Sequence, residues 1–201
     1  MADILIVCDE EDLSMGKFFL ACKERLNAFL KSKSIKFSEL GSQQLNDLSI
    51  SMHISPLPKF IFGAYSHGSS NSLLKSATTE YVSIAQNGKD FEGGFVYTFS
   101  CSSGKELGKD LISCNCQCFI GYSEVIYIWT NFFDPFIECA NFGLIEFFNG
   151  QDTSKVFDSM IDKYNREIDK MYEIDPMVAA DLVANRRALV MHGNNINISD
   201  F

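Results

Sequence analysis

Two stretches decide how this chain is read. The first is Lys59-Phe60-Ile61-Phe62-Gly63-Ala64-Tyr65-Ser66-His67-Gly68, and the second is Phe95-Val96-Tyr97-Thr98-Phe99-Ser100-Cys101-Ser102-Ser103-Gly104. Each is a short apolar run, aromatic and β-branched, that breaks at a polar turn containing glycine. That pattern predicts buried strands. Taken as parallel neighbours, the two strands bring their carboxyl ends to one edge of a sheet, where open α/β folds place their sites. His67 and Cys101 stand at those ends. An imidazole and a thiol would then lie one or two strand spacings apart, about 5 or 10 Å. A cysteine nucleophile served by a histidine base needs that proximity. Separately, a thiol at a strand end is usually a small packed apolar group, and a loop histidine is usually solvated. It is their coincidence on one crevice that points to chemistry.

Around this centre, 201 residues are read as one domain, 1–201, long enough for a substantial core. The formal charge of −9 and the lack of a basic cluster argue against nucleic acid as a partner. No apolar run approaches the roughly 18 residues of a membrane span, so no membrane role is expected. Seven cysteines, an odd number, with no leader read at Met1-Ala2-Asp3-Ile4, favour a reducing, cytoplasmic setting over a disulfide framework.

Ile4-Leu5-Ile6-Val7-Cys8 reads as a first buried strand and runs into Asp9-Glu10-Glu11-Asp12. Four acids there either decorate the start of a helix or border the crevice of His67 and Cys101. The helix that follows sets Met15, Phe18, Phe19, Cys22, Leu26, Phe29 and Leu30 at core spacing. A short strand is expected within residues 34–40, and residues 41–58 read as a connection with a helical turn. Between the two key strands, alternation in Tyr81-Val82-Ser83-Ile84-Ala85 and the pair Asn87-Gly88 predict a hairpin. After Cys101 a helix is expected over residues 104–111, with its N-terminus lowering the thiol pKa. Cys114, Cys116 and Cys118 alternate, but no partner pair with zinc-site spacing accompanies them, and they are read as structural. Phe119-Ile120-Gly121-Tyr122-Ser123 is the next strand and turn. Helices follow over residues 132–148, from Asp152-Thr153 onward, and from Pro176 through Ala184. A last strand, Ala188-Leu189-Val190-Met191, ends at His192-Gly193. His192 therefore competes with His67 as the base. The elements add up to an α/β three-layer sandwich, with a mostly parallel six-stranded sheet and helices on both faces.

Tyr65-Ser66-His67-Gly68-Ser69 resembles the histidine block of the caspase-like cysteine peptidases, which include caspases, metacaspases, separase and bacterial CHAT proteases. Phe99-Ser100-Cys101-Ser102-Ser103-Gly104 resembles their cysteine block, closest to metacaspases and CHAT domains. The order, histidine before cysteine, differs from that of papain-like enzymes. The resemblance implies an antiparallel last strand, which would carry His192 to the opposite edge of the sheet. It implies a cysteine endopeptidase acting on a protein substrate. Cys101 would be the nucleophile and His67 its partner, and the backbone N–H groups of Gly68 and Cys101 would form the oxyanion hole. No metal or organic cofactor is implied. Small bacterial relatives act in stress or immune responses beside a sensor protein, so an activating partner is one further expectation.

Specificity is where the residues depart from the family. The position two before the cysteine, an Asp in metacaspases, is Phe99. The loop that supplies a substrate-binding Arg in caspases is here acidic, with Asp9 and Glu10 leading it, and Glu124 stands at the mouth of the next strand. These acids favour a basic substrate side chain over an acidic one, with an apolar pocket floored by Phe99 as the alternative. Two other readings stand beside this one. A caspase-like scaffold with an idle dyad would act as a regulated binding module. A flavodoxin-like nucleotide binder is disfavoured, because no glycine-rich phosphate loop follows the first strand and the acids there repel phosphate.

Overall fold

The computed structural model describes residues 3–201; Met1 and Ala2, where the leader was sought, lie outside the described residues. In chain order the elements are β1 (Ile4–Cys8), α1 (Gly16–Ser32), β2 (Ser38–Leu40), α2 (Asp47–Ile54), β3 (Phe60–Tyr65), β4 (His67–Gly68), β5 (Ser72–Lys75) and β6 (Thr79–Ser83). They continue with β7 (Gly94–Phe99), α3 (Leu107–Ser113), β8 (Cys118–Tyr122), α4 (Phe133–Phe148), α5 (Thr153–Tyr172), α6 (Pro176–Ala188) and β9 (Leu189–Gly193).

Six strands form the main sheet in the order β2-β1-β3-β7-β8-β9. All neighbours pair parallel except β8 and β9, which pair antiparallel. The central strands β1, β3, β7 and β8 are buried along their whole length. That burial on both faces explains why they read as continuous apolar runs rather than alternating ones. Successive side chains nonetheless divide between two cores. Ile6, Ile61, Tyr65, Phe95, Tyr97, Phe99 and Tyr122 pack with α1, α4, α5 and α6, while Val7, Phe60, Phe62, Val96 and Phe119 pack with α2 and α3. The sheet is thus covered by helices on both faces.

Local signals set the starts of α2, α5 and α6. Asp152 caps α5 by accepting from the Lys155 N–H at 3.0 Å. Asp175 caps α6, whose first turn holds Pro176, a position where the missing N–H costs nothing. Asn46 caps α2 through the Ser49 N–H at 2.8 Å, so the connection before β3 contains a true eight-residue helix.

Three details differ from the sequence reading. The hairpin joins β5 to β6 and turns at Ser76 and Ala77, both with positive φ (49° and 59°), not at Asn87-Gly88. Asn87 instead serves β6 with its side chain, accepting from the Ser83 N–H at 3.1 Å and donating to the Tyr81 carbonyl at 2.9 Å. The helix after Cys101 starts at Leu107, and turns fill residues 101–106. Finally, Cys114, Cys116 and Cys118 do not share a strand: Cys114 ends α3 and Cys118 begins β8. Between them Cys116 Sγ is buried, 3.1 Å from the Gly94 carbonyl, as a packed thiol.

Candidate active site

Strands β3 and β7 are adjacent and parallel, in register from Phe60 opposite Gly94 to Tyr65 opposite Phe99. Their carboxyl ends therefore lie side by side. Two residues beyond each end stand His67 and Cys101, and both line one cavity of about 290 Å³. The two turns are held against each other by absence of a side chain: a Cβ on Gly68 would fall 2.6 Å from the Cys101 carbonyl oxygen. A chain of hydroxyls crosses beneath them. Tyr81 and Ser66 oxygens are 2.6 Å apart, Ser66 and Ser100 are 3.4 Å apart, and Thr98 donates to Ser100 at 2.7 Å.

His67 is gripped from two sides. The Phe19 ring meets the imidazole edge to face, with centroids 5.5 Å apart. Asp12 Oδ2 lies 3.1 Å from Nε2, off the line of the ring N–H, so the contact is close but not a linear hydrogen bond. Among the described residues Nδ1 has no protein partner. Burial disfavours the Asp12 carboxylate, but hydrogen bonds from the Ser14 hydroxyl and the Met15 N–H, with the His67 imidazole, bring its carboxyl down to about 2. Of the four acids Asp12 is the one that borders His67. An Asp two residues before a Ser at the start of a helix is an Asx-turn signal that could have singled it out; its Oδ1 accepts from the Ser14 N–H at 3.0 Å and the Met15 N–H at 2.7 Å.

Cys101 is half-buried, and burial pushes its thiol above the ordinary range, opposed by the Ile126 N–H, which reaches Sγ at 3.4 Å. The expected helix N-terminus does not stand behind the thiol, because five residues separate Cys101 from Leu107, the first residue of α3. Two backbone donors nearby are uncommitted. Ser69 N–H donates to the Ser72 carbonyl at 2.9 Å, so Gly68 opposite Leu73 is a non-hydrogen-bonded pair of the β4–β5 ladder and its N–H is not spent there. Among the described residues the Cys101 N–H reaches no acceptor beyond its own sulfur.

A scan against family models finds none that matches the chain, and a search of curated proteins finds no match. Geometry alone must therefore speak for the site.

The remaining candidates are placed as follows. Asp9 is fully buried and away from the cavity: its N–H extends the ladder to the Tyr65 carbonyl, and its carboxylate accepts from the Ser42 hydroxyl at 2.8 Å and the Ser76 N–H at 2.6 Å. Glu10 turns to the loop at Gly41 and accepts from the Ser42 N–H at 3.2 Å. Both carboxylates pin loops together. Glu124 is exposed and borders a separate hollow with Arg187. Phe99 lines the cavity, wedged between Phe18 and Tyr122 with ring centroids 5.4 and 5.2 Å away. His192 faces α3, where its Nε2 lies 2.7 Å from the Gly104 carbonyl and its ring stacks on Phe119.

One further wall went unread. Residues 123–132 cross the cavity mouth without regular structure, fastened to α6. Asn185 both accepts from the Tyr127 N–H at 2.8 Å and donates to the Tyr127 carbonyl at 2.7 Å, and Trp129 donates to Asp181 at 2.7 Å. Among the described residues no helix is long and apolar enough to cross a membrane.

Proposed function

We propose that this chain is a cysteine endopeptidase of caspase-like architecture, with Cys101 and His67 as its dyad. The observation that supports the reading most is the shared cavity: a thiol and an imidazole stand just past the ends of two adjacent parallel strands, with a carboxylate behind the imidazole.

With the proton on Nε2 facing Asp12, Nδ1 is the nitrogen left to receive another proton. Because burial keeps Cys101 a thiol at rest, deprotonation accompanies attack. Sγ adds to the scissile carbonyl carbon as its proton passes to Nδ1. The oxyanion accepts hydrogen bonds from the N–H groups of Gly68 and Cys101, donors worth ~3 kcal/mol each in such a position. The intermediate collapses by breaking the C–N bond, and the imidazolium returns the proton to the leaving amine. Water, deprotonated by the same imidazole, then hydrolyses the thioester and restores the thiol.

One feature favours a second reading, a scaffold that binds a partner without cutting it: burial pushes the Cys101 thiol up, and the Ile126 N–H reaches its sulfur at 3.4 Å. The two separate in cells expressing wild type, Cys101→Ala, His67→Ala or His192→Ala, with new protein N-termini profiled by mass spectrometry. Cleavage by wild type and His192→Ala alone is the expected result. New termini that persist in Cys101→Ala or His67→Ala would refute the dyad. Their absence from wild type would favour the scaffold.

A further inference from the structure

Of the acids that surround the site in sequence only Asp12 reaches it in space, behind the imidazole, and this bears on what the site cuts. We infer that it takes a bulky apolar side chain, of leucine, methionine or phenylalanine size, beside the cleaved bond. The inference rests on the peptidase reading above and specifies its substrate class.

The cavity next to Cys101 is walled by Met15, Phe19, Phe99, Ile126, Tyr127 and Ile128. Its volume of about 290 Å³ is at the small end for ligand pockets, enough for one large side chain and its peptide unit. No Asp, Glu, Lys or Arg lines it. None of the nearby acids lines the cavity. Asp9 serves Ser42 and Ser76, and Glu10 serves Ser42. Asp12 gives one oxygen to Ser14 and Met15 and the other to His67. A substrate Arg or Lys entering this cavity would leave water and find no free counter-ion, which is a heavy penalty. A substrate Asp would meet only apolar walls and the Asp12 carboxylate behind the imidazole. An aliphatic or aromatic side chain loses nothing and gains burial against Phe99. Contacts of one or two methylenes in such pockets discriminate 10- to 200-fold, so at least a tenfold preference for Leu or Phe over Arg and Asp is expected.

The test uses four acyloxymethyl ketone peptides, identical except for Leu, Phe, Arg or Asp next to the ketone. In each, Sγ of Cys101 forms a thioether as the carboxylate leaves, and intact-mass spectrometry of the full chain reads the rate. Leu or Phe labelling at least tenfold faster than Arg and Asp supports the inference. Faster labelling by Arg or Asp, or equal rates for all four, overturns it and leaves the peptidase reading standing. If none of the four labels Cys101 while iodoacetamide does, both fall. Ile128→Glu, at the partly exposed edge of the cavity, should reverse the order in favour of Arg; Met15→Glu replaces it should that variant fail to fold. Retention of the wild-type order in a folded variant would show that this cavity does not receive the side chain.

Discussion

Replacing Asp12 with asparagine removes a charge and keeps a shape. The amide oxygen can still accept from the Ser14 and Met15 N–H groups, so the turn ahead of α1 survives, while the loss of charge falls both on those hydrogen bonds and on the contact with His67. Its size follows from the structure in two parts. Lowering the Asp12 carboxyl from 3.8 to about 2 corresponds to roughly 2 kcal/mol of preference for the charged form in the fold. The side chain is only 8 % exposed but sits in a surface loop, where solvent screening leaves about 1 kcal/mol. For a chain of this length that is roughly a 2–4 °C fall in Tm. Because the folded carboxyl titrates below its unfolded value, the wild-type advantage is whole above about pH 4 and vanishes as pH falls through about 2. For the reaction, a hydrogen bond to a charged group is worth ~1.5–3 kcal/mol. The off-line approach to Nε2 puts this one at the lower end, on the order of a tenfold loss of kcat/KM. Urea unfolding at pH 2, 4 and 7, with peptide hydrolysis at pH 7, measures both. A variant as fast as wild type would show that Asp12 does not position His67. A stability difference that persists at pH 2 would show that the charge is not its source.

Three other outcomes are expected. Gly68→Ala drives a methyl group toward the Cys101 carbonyl, costing about 1–3 kcal/mol in stability as overpacking does and roughly a hundredfold in kcat/KM as the two turns part; a folded, fully active variant in urea melts and hydrolysis assays would contradict the close approach. Tyr81→Phe removes the hydroxyl 2.6 Å from Ser66, with a loss of about 1 kcal/mol in chemical denaturation and a few-fold fall in rate; a stabilised variant would mean that the hydroxyl chain is not formed. In the resting protein, iodoacetamide alkylation of Cys101 should keep rising with pH beyond 9.0, since burial raises the thiol and the thiolate forms only above its ordinary range; a plateau already reached at pH 7 would place a thiolate there instead.

The sheet was legible because a strand buried on both faces must be apolar throughout, and β1, β3, β7 and β8 each declare themselves that way. The ends of β3 and β7 were legible for the same reason, since His67 and Cys101 stand where the apolar character stops. The acid run was not. Four like charges in succession read alike, as decoration of a helix start or as a border of the crevice, yet Asp9 is inside and Asp12 alone faces His67. What separates them is Ser42 and Ser76, which reach Asp9 from 33 and 67 residues away, and no local pattern announces partners so distant. The misplaced hairpin has a similar cause. Asn-Gly is the strongest turn pair in general, but here Asn87 is consumed as a hydrogen-bond partner for β6, and Ser76 and Ala77 take the left-handed backbone that the turn requires.

The pair of hydrogen bonds between Asn185 and the backbone of Tyr127 has a consequence for exchange kinetics. An amide in an irregular segment, on a residue 48 % exposed, would ordinarily trade its hydrogen for deuterium within seconds. The Tyr127 N–H is instead tied to a carboxamide on a helix residue with no exposed surface, so its exchange depends on the opening of α6 rather than on the motion of its own loop. Tyr127 should therefore keep time with the helix, as a slow amide in the midst of fast ones, and its neighbours Val125 and Thr130 should not.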